Sequence, residues 1–220
     1  MNYLAHLHIA EASDSNLLGN LLGDFVKGNP SEQYSEEIVQ GIRLHRWVDA
    51  YTDSHEVMIL AKALFPATTR RFSPIALDMF WDHCLAKHWQ RFHSQSLRQF
   101  VLDAERKVKI DHSSSLPERY MMVSDKMWQG RWRKVKIDHS SSLPERYMMV
   151  SDKMWQGRWL ESYAEFENIH FALQRMSLRR ERMKPLAECY VSLEDSYQEL
   201  ESLFFSLYPQ VLEKAKSIRF

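Results

Sequence analysis

Three stretches of this chain set a polar pair four residues apart inside an otherwise apolar face: Asn20 with Asp24, His45 with Asp49, and Asp78 with Asp82. Residues four apart lie one above the other on a helix, so each pair directs two side chains the same way. Carboxylates and imidazoles on core-facing helix surfaces cost several kcal/mol unless they are paired or hold a metal. With Asp53 and His83 close by in sequence, the pattern predicts helices converging on a buried divalent cation. That is a hydrolase's arrangement.

The rest of the chain agrees with helices. It has only six glycines in 220 residues and few alternating apolar runs, which argues against a sheet protein. Asp14 and Ser15 cap a helix expected to run to about Lys27, where Gly28-Asn29-Pro30 stops it. Further helices are expected from Ser35 through Thr52, Ser54 to Leu64, Ser73-Pro74 through Leu85, and Ser96 to about Lys109. Beyond these come Leu160 to Met176, then a long helix from Pro185 to Leu207, with Pro209 separating it from a short final one. Gly19 and Gly23, four apart in the first of these helices, imply that a neighbouring backbone or a ligand approaches closely. The fold class is all-α, a single-domain helical bundle over residues 1–220.

Residues 106–132 recur without one change at 133–159. A verbatim copy present only twice is a tandem duplication rather than a solenoid, and is read as carrying no chemistry of its own. In each copy Ser-Leu-Pro-Glu predicts a short helix, 116–128 and again 143–155. Removing one 27-residue copy from the 220 leaves a parent of 193 residues, enough for a substantial core. It also turns 29 basic against 29 acidic residues into 23 against 26, because each copy holds six Lys/Arg and three Asp/Glu. A mildly acidic parent lacks the positive field of nucleic-acid-binding proteins. Two identical helices compete for one groove, so one copy is expected to loop out or to pair with a second chain as a domain-swapped dimer.

Cys84 and Cys189 are too few for a disulfide scaffold and read as buried thiols of a cytoplasmic protein. The opening MNYLAHLHIAEASDS lacks a basic leader and a long apolar run, so it is not read as a signal peptide. No stretch approaches 18 uninterrupted apolar residues, and no membrane partner is expected.

The blocks NYLAHLHIA, GNLLGDFVKG, GIRLHRWVDAYTD, RRFSPIALDMFWDH and SLRRERM resemble, in order, the acyl carrier protein phosphodiesterase family, a noncanonical relative of the HD-domain metal phosphohydrolases. The resemblance implies an HD-like helical fold and removal of the 4′-phosphopantetheine arm from the serine of holo-acyl carrier protein. It further implies a divalent cation, Mn²⁺ or Mg²⁺. Carried over by position, the family's blocks fall on Asn20 and Asp24, on His45, Arg46 and Asp49, on Thr52 and Asp53, and on Trp81, Asp82 and His83. The broader superfamily's hallmark is a His-Asp doublet, whereas the doublet here runs Asp82-His83.

A phosphodiester repels hydroxide and leaves a poor alkoxide, and a bound metal addresses both problems. Oxygen ligands with imidazole suit Mn²⁺ or Mg²⁺. The expected ligands are Asp24, His45, Asp49 and one or both of Asp82 and His83, with Asp53 or Asp78 as an outer support or general base and Arg46 gripping the phosphate. Asn20 is grouped with the substrate contacts. Arg179, Arg180 and Arg182, beside Arg70 and Arg71, are expected to dock the acidic carrier protein. Structural readings stand beside these: an ion pair for His45 and Asp49, a helix cap for Asp53, a dipole partner for Asp78, and core or capping roles for His6 and His8. Two other functions fit the same residues, an HD-type nucleotide phosphohydrolase and a non-catalytic module that binds the carrier protein.

Overall fold

The computed structural model describes residues 1–114 and 143–220, apart from the side chains of 112–114. The described residues fold into helices without a strand. They are α1 (Tyr3–Ala12), α2 (Leu17–Leu22), α3 (Glu36–Ser54), α4 (Glu56–Ala63), α5 (Ser73–Lys87) and α6 (Leu97–Ser114), followed by α7 (Glu145–Gln156), α8 (Trp159–Ser162), α9 (Phe166–Ser177), α10 (Cys189–Asp195) and α11 (Tyr197–Ser217). No helix among them is long and apolar enough to cross a membrane.

α1 was not among the expected helices, yet it organises the bundle. Leu4, Leu7 and Ile9 are fully buried, and the helix packs on α2, α3, α5 and α11. Its own N-cap residue, Asn2, makes no capping bond. Asp82 of α5 caps it instead, accepting from the Leu4 amide at 2.8 Å and the Ala5 amide at 3.0 Å. A buried carboxylate at a helix N-terminus satisfies orphan amides and complements the macrodipole. Asp82 is therefore not spare for a metal.

α2 and α3 cross almost backbone to backbone. A Cβ on Gly41 would lie 2.9 Å from the Gly19 Cα and 2.7 Å from the Asn16 carbonyl oxygen, and a Cβ on Gly19 would collide with the Ile38 carbonyl. The close approach expected at Gly19 is thus a neighbouring helix. Asn16 caps α2, accepting from the Gly19 amide at 2.7 Å. The helix ends at Leu22 rather than near Lys27, and Gly28 takes the left-handed φ of +72° that ends the loop. The loop carbonyls find their donors in Arg46, which gives Nη1 to Gly28 at 2.9 Å and Nη2 to Val26 at 2.8 Å.

The apolar side chains form one contiguous cluster, with Trp81 of α5 stacked on Phe204 of α11. α11 runs straight through Pro209, against expectation, because Leu207, Tyr208 and Val211 on either side are buried. The expected long helix breaks instead at Ser196, between α10 and α11.

Residues 106–114, from the first copy of the repeat, complete α6, and 143–159, from the second, form α7 and begin α8. Together these make up one unit short of a single serine. The helix expected at 116–128 and the fate of the remaining copy fall outside the described residues.

Candidate metal centre

Four side chains from three parts of the bundle converge. His6 comes from α1, His45 and Asp49 from successive turns of α3, and Asp24 from the turn after α2. Asp49 bridges the two rings: its Oδ1 lies 3.1 Å from His6 Nε2 and its Oδ2 lies 3.2 Å from His45 Nε2. Asp24 Oδ1 approaches the same His45 nitrogen at 3.3 Å. The rings stack face to face, with centroids 3.8 Å apart and planes 18° apart. Both are buried, while Asp24 is half exposed and opens the cluster to solvent.

Gly23 explains how His45 reaches this point. A Cβ on residue 23 would collide with the His45 ring, so only glycine leaves it room. Neither His6 Nδ1 nor His45 Nδ1 has a hydrogen-bond partner among the described residues. The rings are held by their stack, by Gly23 and by Asp49 rather than from behind.

The electrostatics follow from two rings sharing carboxylates. Burial and the adjacent His45 push His6 down to about 4. Burial also acts against the charged form of His45, but hydrogen bonds with Asp24 and Asp49 outweigh it and raise that ring to about 9. The two imidazoles hold Asp49 well below the usual carboxylate range against the cost of its burial, and His45 does the same to Asp24. At neutral pH the pair of rings therefore carries one positive charge, on His45, where carboxylates face it from two sides.

This donor set fits a divalent cation. One donor atom each from His6, His45 and Asp49 lie within 4.8 Å of one another. The adjacent N···O separations match the roughly 3 Å spacing of neighbouring ligands around an octahedral ion with bonds of about 2.1 Å. Imidazole nitrogens beside carboxylate oxygens form a mixed set that several divalent ions accept.

Of the residues expected from sequence, Asp24, His45 and Asp49 meet here. Asp82 caps α1. His83 is engaged on both nitrogens, donating from Nδ1 to the Tyr163 carbonyl at 2.8 Å and accepting at Nε2 from the Tyr197 hydroxyl at 2.7 Å. Neither residue joins the cluster, and both make structural contacts instead. Arg46 is committed to the Val26 and Gly28 carbonyls, which removes it from the phosphate. Asn20 is fully buried, and its amide nitrogen donates to Ser15 and Asn16 rather than toward a substrate.

Asp78 lies 2.8 Å from the Met1 ammonium, which in turn is 3.7 Å from Asp49. Asp53 is exposed one turn beyond Asp49, and the cap of α4 comes from His55. Arg70 donates to the Phe65 carbonyl, Arg71 lies over the Phe72 ring, and Arg179, Arg180 and Arg182 are exposed. His6 is the member that sequence reasoning left in the core, since a lone histidine in an apolar helix gives no partner to suggest otherwise.

Fold and site together define a helical protein in which His6, His45 and Asp49 meet, with Asp24 against His45, at a candidate metal centre. Comparison with known proteins makes this specific. The sequence profile described as acyl carrier protein phosphodiesterase matches residues 1–136 and again 133–211, the two matches meeting at the junction of the repeat. Proteins named acyl carrier protein phosphodiesterase from Yersinia pestis and Serratia proteamaculans are 39% and 38% identical over 217 residues, each covering 98% of both chains. One from Pectobacterium atrosepticum is 39% identical over 99% of this chain and 98% of its own. No solved structure matches. The chain belongs to the acyl carrier protein phosphodiesterase family.

Proposed function

We propose that this chain hydrolyses the phosphodiester between 4′-phosphopantetheine and the serine of holo-acyl carrier protein, releasing the apo carrier. The observation that carries the reading is the convergence of His6, His45, Asp49 and Asp24 in a chain whose family acts on this carrier. The family match favours the carrier protein over a nucleotide, and an enzyme over a passive binding module.

His6, His45, Asp49 and Asp24 are the residues that would hold the cation, Mn²⁺ or Mg²⁺. Such an ion supplies Lewis acidity, screening the diester's charge and acidifying water. The chain's own groups prepare the rest. Asp49 sets both rings at one distance, and Gly23 lets His45 in. Half-exposed Asp24 marks the side from which substrate enters. Burial pushes the Asp78 carboxyl up, against the pull of the Met1 ammonium, so among the carboxylates beside the cluster it is the one suited to hold a proton. Asp53 is the second general-base candidate.

The exposed Arg179, Arg180 and Arg182, with Arg70 and Arg71, form the docking face for the acidic carrier. Leu178, 81% exposed among them, supplies an apolar contact that a charge-only surface lacks. The enzyme acts in the cytoplasm, where its carrier is found. The duplicated segment also gives two chains a means of exchanging identical helices, which sedimentation over a range of concentrations tests.

Incubation of the purified chain with holo-carrier and Mn²⁺ should remove the prosthetic-group mass from the carrier, and chelation should stop it. Asp24→Ala should abolish this turnover with helical content near normal. Turnover retained in that variant removes Asp24 from the ligands.

A further inference from the structure

The centre just described is rich in carboxylates, and its substrate is an anion. Asp24, Asp49, Asp53 and Asp78 all lie on or beside it, while the arginine that sequence favours for the phosphate, Arg46, is committed to backbone carbonyls. A further cation at the entrance would complement the anion, and the second copy of the repeat supplies one. Tyr147 of α7 is 3% exposed, and its ring meets Phe25 edge-on, with centroids 5.5 Å apart. This contact fixes α7 against the loop that carries Asp24. Arg146, the residue before it, is exposed and sets its guanidinium 5.9 Å from the Phe25 ring centroid. It has no carboxylate partner among the described residues.

Phe25, the ring under Arg146, follows Asp24 directly in the chain, so the guanidinium lies against the loop that carries the outermost carboxylate of the centre. A guanidinium presents a planar fork that matches phosphate oxygens in pairs, and a position over an aromatic face holds it without neutralising it.

We propose that Arg146, placed beside Asp24 by its contact with Phe25, receives the anionic phosphodiester of the carrier's prosthetic arm. The proposal rests on the hydrolase reading above for its substrate. It gives a binding role to a segment whose verbatim duplication argued for none.

The test uses the full chain with Arg146→Ala and Arg119→Ala combined, so that the identical residue of the other copy has no guanidinium to substitute. Calorimetric titration with inorganic phosphate in Mn²⁺ gives a readout without turnover, and steady-state kinetics with holo-carrier give KM. Phosphate affinity should fall about 10- to 100-fold, the scale of one or two charge-assisted hydrogen bonds, and KM should rise. Mn²⁺ affinity and the melting temperature should stay at wild-type values. The double lysine variant, which keeps charge but not the fork, should lose less. Wild-type phosphate affinity in the double alanine variant overturns the proposal. So does wild-type affinity in the double lysine variant if the alanine variant fails to fold. A wild-type chain that leaves holo-carrier intact defeats the hydrolase reading instead, and the phosphate titration still decides the role of Arg146.

Discussion

His6 and His45 lie stacked at 3.8 Å between ring centroids, although one comes from the first helix and the other from the third. Two imidazoles this close cannot both be charged in a buried setting without large cost. The contact is tolerable because Asp49 reaches both and one ring stays neutral. A divalent ion on the same nitrogens would displace the extra proton that charges His45 while keeping both rings where they are.

The first consequence separates ligands from core histidines. His6→Gln should weaken Mn²⁺ binding by at least about 10-fold, the scale already produced by loss of an outer hydrogen-bond partner of a metal ligand. His8→Gln, two residues along the same helix but bonded to the Tyr208 hydroxyl at 2.7 Å, should leave it unchanged. Calorimetric titration of both variants with Mn²⁺ checks this, and equal effects would return His6 to the core.

Gly23→Ala probes the same ring from the opposite direction. The added methyl collides with His45, so ring or loop must shift. Overpacking of this kind costs about 1–3 kcal/mol. Turnover should fall by more than that instability explains if, as proposed, the displaced ring is a ligand. Urea unfolding and holo-carrier turnover measured on one preparation decide it, and a variant with wild-type turnover contradicts the placement of His45.

Acid should weaken the fold through His83. Burial lowers this ring's pKa against the help of the Tyr163 carbonyl. As pH falls through about 6.5, the unfolded chain takes up a proton that the folded chain still refuses. Its stabilising contribution is therefore complete above that pH and is lost as pH falls towards the folded-state value. Urea midpoints should decline between pH 7.5 and pH 5.5, and the decline should be shallower in His83→Asn. Parallel slopes would assign the acid sensitivity to other groups.

Deleting residues 115–141 joins Ser114 to Ser142 and leaves one intact repeat unit. The described halves of the two copies already supply one unit between them, so the shortened chain should fold, melt within a few degrees of the parent and act on holo-carrier. Removing an intervening stretch changes loop-closure entropy only logarithmically. An insoluble product would show that the fold depends on the deleted stretch.

The helical class and the pair on α3 were legible because both depend on spacing alone. His45 and Asp49 face one way wherever that helix goes. The close crossing at Gly19 was legible too, since two glycines in a short helix need a reason. Asp82 and His83 misled for the opposite cause: their partners, Leu4, Tyr163 and Tyr197, lie 78, 80 and 114 residues away. Arg46 was misplaced because nothing in its own helix says that the preceding loop lacks donors. His6 and Arg146 escaped notice as single residues whose meaning arises only when α1 and α7 are set against Asp24 and its neighbours.

The carboxylate of Asp82 fastens the tip of α1 to α5, and His6 is the residue next after that fastening. The alignment of the stacked rings is thereby controlled from an anchor outside the proposed site. Damage to the interior of the bundle near residue 82 would surface as a defect in metal loading, and a screen for lost activity would credit the wrong part of the molecule.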